Sequence, residues 1–317
     1  MPIAFEHVSY SYHAPAAKKS SARKQDGPKG ESAPTGGDTA KPDWGNGPDA
    51  LWAIRDIDFT LEDGEFLGIA GHTGSGKSTL IQHMNGLIHP TVGRVLVDGQ
   101  DISDKKAATR IRAKVGLVFQ YPEYQLFAAT VYDDVAFGPR NMGLSHDEVD
   151  ACVREALQQV ALDFDRTQGM SPFELSGGQQ RRVAFAGVLA MKPSTLVLDE
   201  PVAGLDPAGR KEFFDLITRL HHEGLTVAMV SHSMNDLARY CDRVLVLKEG
   251  EQFMLGTPEE VFTQEDALKA IGLGVPSAQH MATGLKDAGV PLGEGLYDAG
   301  RLADDIAGLY RASRAKG

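Results

Sequence analysis

Residues 66–84 read FLGIAGHTGSGKSTLIQHM, and this stretch decides the fold. Within it, Gly71-His72-Thr73-Gly74-Ser75-Gly76-Lys77-Ser78 fits G-x-x-x-x-G-K-[ST], the pattern of a phosphate-binding loop. The flanks agree with the motif. Phe66 to Ala70 is a short apolar run of the kind a buried parallel strand shows, and Ser78-Thr79-Leu80 opens a helix. Glycines let the backbone curl so that successive N–H groups and the helix start converge on one anion. Lys77 then reaches the terminal phosphates and the Ser78 hydroxyl is free to ligate Mg²⁺, as a site for a nucleoside triphosphate with Mg²⁺ requires.

The whole chain sets the limits. With 317 residues and 42% hydrophobic content, one large domain with an appendage is expected. The formal net charge of −11 argues against nucleic acid as the main partner. Cys152 and Cys241 show no metal or redox spacing and read as ordinary thiols of a reducing compartment. No apolar run approaches the ~20 residues of a spanning helix, and the N-terminus lacks a signal-peptide pattern, so membrane association is expected to be peripheral.

Residues 2–12 (PIAFEHVSYSY) and 51–61 (LWAIRDIDFTL) alternate apolar with polar side chains and are expected to pair as strands. Residues 13–50 between them are rich in Ala, Lys, Ser, Gly, Pro and Asp and read as a disordered insertion. Strands are also expected at 93–98 and 115–119, the latter followed by Gln120. An aromatic-dense segment, 121–139, leads into a helix carrying Val149, Val153, Leu157 and Val160 on one face. A helical insertion spanning about 121–190 of an α/β domain is the natural reading.

After LSGGQ (175–179) and its helix, LVLDE (196–200) is an apolar strand closing on two carboxylates. That strand is expected beside the phosphate-loop strand, where Asp199 holds Mg²⁺ with Ser78 and Glu200 accepts a proton from an attacking water. Ser231-His232 ends another apolar strand, and a short helix at 258–262 closes the core. Residues 263–317 form a C-terminal extension whose last helix carries Leu302, Ile306, Leu309 and Tyr310 on one face, suited to dimerisation or to packing on its own domain.

These motifs in this order closely resemble the signature of ATP-binding cassette (ABC) ATPases, over residues 1–262. The resemblance implies an α/β P-loop NTPase fold of ABC type: a mostly parallel central sheet, an antiparallel β subdomain, a helical subdomain and the C-terminal extension. It further implies a head-to-tail dimer in which each ATP lies between one subunit's phosphate loop and the other's signature, here Ser176, Gly177, Gly178 and Gln179. Gln120 then looks like the Q-loop glutamine near Mg²⁺ and water, Glu200 like the catalytic base, and Asp206 like part of the D-loop. By the same resemblance His232 is the switch histidine and Tyr12 the aromatic that stacks on adenine, with Tyr10 as an alternative.

Within that family, FQYPEYQLFAATVYDDVAFGPRN (119–141) and FELSGGQQRRVAFAGVLAM (173–191) look like the ATPases of energy-coupling factor (ECF) transporters, the second of the two (A′) more than the first. The resemblance implies four expectations: a second ABC ATPase as heterodimer partner, a transmembrane T component, a substrate-binding S component, and a place on the cytoplasmic face of the membrane. It also implies that residues 119–141 form the groove receiving the T component, with a minority of the rings of Tyr121, Tyr124, Phe127, Tyr132 and Phe137 exposed. Two departures from the family pattern stand out: Ala128-Ala129 replaces a usually acidic pair, and Val202 a common threonine. A P-loop kinase would not need LSGGQ or His232, and soluble ABC ATPases usually carry two cassettes or a coiled-coil insert. The ATPase of a cobalt or nickel importer shares the same motifs.

Overall fold

The structure, a computed structural model, describes residues 1–12, 52–104 and 106–315, so the insertion expected at 13–50 lies outside the described residues. The first strands are β1 (Ile3–Tyr10), β2 (Ile54–Leu61), β3 (Phe66–Gly71), β4 (Val92–Val97) and β5 (Gln100–Asp101). They are followed by β6 (Val115–Val118), β7 (Thr195–Asp199), β8 (Thr226–Val230), β9 (Arg243–Lys248) and β10 (Glu251–Gly256). An antiparallel sheet runs β2-β1-β4-β5, and a six-stranded sheet runs β10-β9-β3-β8-β7-β6. In the larger sheet β9, β3, β8, β7 and β6 are parallel, and β10 runs against β9. The expected pairing at the N-terminal end is present, with Ile3 opposite Leu61 and Phe5 stacked on Phe59 at 4.9 Å.

Side-chain alternation in the parallel strands divides the interior in two. Phe66, Ala70, Leu196, Leu198, Val227, Met229, Val244 and Val246 belong to one core. Their neighbours Leu67, Ile69, Val197, Ala228, Val230, Leu245 and Leu247 belong to the other, which the antiparallel sheet covers. Full burial of such a side chain contributes about 1.5–3 kcal/mol, so a strand serving both cores is fixed in register by both faces.

The helices before β7 are α1 (Lys77–Met84), α2 (Ala108–Lys114), α3 (Val131–Asn141), α4 (His146–Gln159), α5 (Phe164–Thr167) and α6 (Gly177–Leu189). Those after it are α7 (Pro207–His222), α8 (Met234–Tyr240), α9 (Pro258–Phe262), α10 (Glu265–Ala270), α11 (Ser277–Asp287) and α12 (Ala299–Ala315). α1 lies in the core between the sheets through Leu80, Ile81 and Met84. α3 to α6 cover the other face, and the expected stripe Val149, Val153, Leu157 and Val160 is buried there. Ser145 and Glu148 cap the start of α4 reciprocally. At the C-terminus, Leu302 is buried in a small separate core that Leu309 packs against, whereas Ile306 and Tyr310 stay exposed.

One expectation about the sheet is overturned. The strand ending at Asp199 does not lie beside the phosphate-loop strand; β8 stands between them, pairing with β3 on one side and β7 on the other. β7 and β8 are both buried, mostly apolar runs, and such runs announce buried parallel strands without ranking their order. Contact between the two motifs survives because α1 packs across to β7.

Candidate functional site

The phosphate loop leaves β3 at its C-terminal end, where open parallel sheets place ligands. Lys77 is buried, and its ammonium donates to the carbonyls of Gly71 at 2.8 Å and His72 at 2.9 Å. Burial pushes its pKa down, and the Glu200 and Asp199 carboxylates work against that. Gly76, at φ 98°, caps α1, and a Cβ there would meet the Ala53 carbonyl at 2.5 Å, so the position admits only glycine. Gly74, also at positive φ, faces open space. No side chain caps α1, which leaves its first N–H groups available to an anion.

Beside the loop, His72 turns its Nδ1 to the Thr73 carbonyl, and the exposed Tyr12 is held by a 3.1 Å hydrogen bond between its hydroxyl and Thr79 Oγ1. Tyr10 packs edge-on against the buried His83 and is committed to the interior. Of the two tyrosines, Tyr12 presents the exposed ring, which meets that of Tyr10 edge-to-face at 4.9 Å.

The tips of three other strands complete the cluster. Ser78 Oγ donates to Asp199 Oδ2 at 3.5 Å, two oxygen ligands of the kind a hard divalent cation takes. Glu200, next in the chain, stands at φ 48°, a left-handed conformation seldom adopted by a residue with a side chain, and its N–H donates to the Val230 carbonyl at 3.1 Å. Its Oε1 lies 3.3 Å from His232 Nε2. Burial raises the pKa of both Asp199 and Glu200; Lys77 opposes this most at Asp199, and His232 does at Glu200. Val118 pairs with Leu198, so Gln120, two residues on and exposed, leaves the sheet at the same end.

The signature is built elsewhere. Ser176 and Gln179 cap α6 reciprocally, and Ser176, Gly177 and Gly178 are exposed. A Cβ at either glycine would meet nothing within 4 Å. Asp206 caps α7, accepting from the Gly209 N–H at 2.7 Å. Among the described residues no hydrogen bond or ion pair joins Ser176, Gly177, Gly178, Gln179 or Asp206 to the phosphate loop.

Two features depart from, or add to, the sequence expectations. Tyr121, Tyr124, Phe127 and Phe137 are all exposed, Tyr124 by 84%, and only Tyr132 packs against the core; the rings at the surface are the majority. The segment turns in a short 3₁₀ helix, Pro122–Gln125, whose tightness leaves few positions facing inward. Phe127 and Phe137 stack edge-to-face beside a cavity of about 470 Å³. Arg181, given no role by the motifs, is buried between α6 and the turn after Glu200. Its signal was position: it precedes the buried Phe185 by one helical turn, on the apolar face.

A family model described as ABC transporter matches residues 54–203. The chain is 59% identical over 243 residues to the energy-coupling factor transporter ATP-binding protein EcfA2 of Symbiobacterium thermophilum, covering 76% of this chain and 84% of that one. With the protein of the same name from Clostridium perfringens it shares 48% over 261 residues, covering 82% and 92%. Among solved structures, CbiO1 of Clostridium perfringens, described as part of the ABC transporter complex cbiONQ, superposes with a TM-score of 0.66 at 34% identity, covering 89% of this chain and 98% of that one. A dimeric ATP-binding cassette in a post-hydrolysis state, bound to ADP and Pi, gives 0.63 at 27% identity, covering 81% and 98%.

Proposed function

The chain belongs to the energy-coupling factor ATP-binding proteins of the ABC transporter family, and on that premise we propose that it hydrolyses ATP as a subunit of an importer. The observation that carries this is the meeting of Lys77, Ser78, Asp199, Glu200 and His232 at one end of the sheet, while the signature faces outward. Lys77 would exchange its two loop carbonyls for terminal phosphate oxygens. Ser78 and Asp199, with Gln120 close by, would hold Mg²⁺, which neutralises charge on the phosphates when bound. Glu200, made more basic by burial, takes a proton from water, and His232 at 3.3 Å orients it. Tyr12 offers its exposed ring to adenine.

The exposed Ser176–Gln179 start and Asp206 complete the site of a second cassette, a related ATPase in a heterodimer with this chain as the A′ member. No helix among the described residues is long and apolar enough to cross a membrane, so a transmembrane T component, carrying an S component for a vitamin or metal ion, supplies the passage. The T component docks on the rings of Tyr121, Tyr124, Phe127 and Phe137 at the cytoplasmic face.

Tyr124→Glu tests the assignment, since this ring is too exposed to be core. The free variant should fold and bind ATP as before. Burying its unpaired carboxylate at an interface costs several kcal/mol, so co-purification with the membrane components and uptake in cells should drop sharply. Unchanged membrane association in this variant and in Phe127→Glu would overturn the docking assignment.

A further inference from the structure

Arg181 is 9% exposed, an expensive place for a cation unless its donors are matched. Its guanidinium fork is matched on one side, where Nη1 donates to the Ala203 carbonyl at 2.8 Å and Nη2 donates to the Pro201 carbonyl. These carbonyls bracket the turn that begins at Glu200, whose own carbonyl accepts from the Ala203 N–H at 3.1 Å, and that ends at Asp206. On the other side, the 3₁₀ turn Pro122–Gln125 packs on α6. There the Glu123 carboxylate favours the charged guanidinium against burial, and Glu123 Oε2 is buried with no hydrogen-bond partner. The Tyr121 ring reaches the same turn: its Cε1 lies 3.6 Å from where a Cβ on Gly204 would be. Tyr121 in turn lies 5.9 Å, ring to ring, from the exposed Tyr124.

We propose that Arg181 is a positioning residue for hydrolysis, clamping the turn at 201–204 to α6, on which the segment at 121–125 packs, so that whatever docks on the exposed tyrosines fixes where Glu200 and Asp206 stand. The proposal rests on the docking role given to that surface. A lysine keeps the charge but cannot span two carbonyls with one planar fork. Methionine keeps the bulk and removes the cation.

The experiment compares wild type, Arg181→Lys and Arg181→Met in the assembled transporter, reading kcat and KM for ATP together with substrate imported per ATP hydrolysed. A small misplacement of a reacting group costs up to about 10²-fold, so Arg181→Met should lose roughly 10- to 100-fold in kcat while KM moves by less than about threefold. Arg181→Lys should fall between, and both should import less per ATP. A purely structural arginine would lower yield and Tm yet leave kcat and the import ratio of the assembled fraction unchanged. Wild-type values of both in either variant overturn the clamp, as does failure of both variants to fold. Should the wild-type chain form no membrane complex, it is the importer reading that fails. The clamp then still requires the kcat loss in the ATPase dimer.

Discussion

The starts of α1 and α6 are both glycine-led helix N-termini, and they are built in opposite ways. At α1 no side chain caps the helix, Ser75 and Lys77 are buried, and the loop wraps a cation already bonded to its own carbonyls. At α6 the Ser176–Gln179 capping box satisfies the helix from within, and two glycines face open space. The first is an anion site enclosed by its own chain, with N–H groups left free for the ligand. The second is a finished surface which, on the proposed function, meets a ligand carried by another molecule. One chain would then carry two halves of a site that do not meet each other.

The largest expected effect lies on the enclosed side. Glu200→Gln keeps the shape and removes the base, so hydrolysis should fall by roughly 10²- to 10⁴-fold while ATP binding persists. Near-normal turnover would move the chemistry away from this strand tip. Gly178→Asp probes the open side. Its carboxylate has room, and it sits favourably at a helix N-terminus, so the free subunit should fold and bind ATP within about twofold of wild type. In the dimer it would face the partner's phosphates, where like charges cost several kcal/mol, and hydrolysis should drop roughly 10²- to 10³-fold. An equal loss of ATP affinity in the free subunit would break the comparison, because the signature would then serve its own nucleotide.

A smaller effect is expected at Lys77. Charge-assisted hydrogen bonds contribute about 1.5–3 kcal/mol each, so Lys77→Ala should weaken ATP binding by roughly 10- to 100-fold. Titration of the purified variant with a fluorescent ATP analogue measures it. Unchanged affinity would remove the lysine from the site.

The difference between the two helix starts was partly legible in the sequence. Both motifs are contiguous, and local backbone needs dictate their residues: glycine where φ is positive at Gly76, serine and glutamine where a helix must be capped. Pairing of β1 with β2 followed from alternation in 2–12 and 51–61. What local pattern did not carry was order and depth. β8 intervenes between β3 and β7, because two equally apolar strands give no clue to which is central. Surface rings outnumber buried ones in 121–139 because an aromatic residue reads the same whether it faces a core or a partner. Arg181 passed as one more charge beside a motif, since the carbonyls it meets are 20 and 22 residues away in the chain.

The smallest effect is on stability, and it has the opposite sign to the loss of activity. Burial raises the pKa of Glu200 and Asp199, so in the nucleotide-free subunit each stabilises the fold fully only below the ordinary carboxylate value. That contribution is lost as pH rises through the raised folded value, and at neutral pH the charged site is a net cost. Lys77 is depressed, so its contribution is present above the ordinary lysine value and lost as pH falls; at neutral pH it too is a cost. Glu200→Gln removes one buried charge but also one of the carboxylates that support Lys77, which subtracts from the gain. Measured in EDTA without nucleotide, the variant's Tm should exceed wild type by about 1–3 °C at neutral pH. The excess should shrink to nothing in acid, as the wild-type carboxyl takes up its proton and comes to resemble the amide. Such a pH-dependent gain would mark the enclosed half as held ready for charge at the expense of stability. An excess that persists unchanged at acid pH would trace the gain to packing and leave the electrostatic contrast with the open half without support.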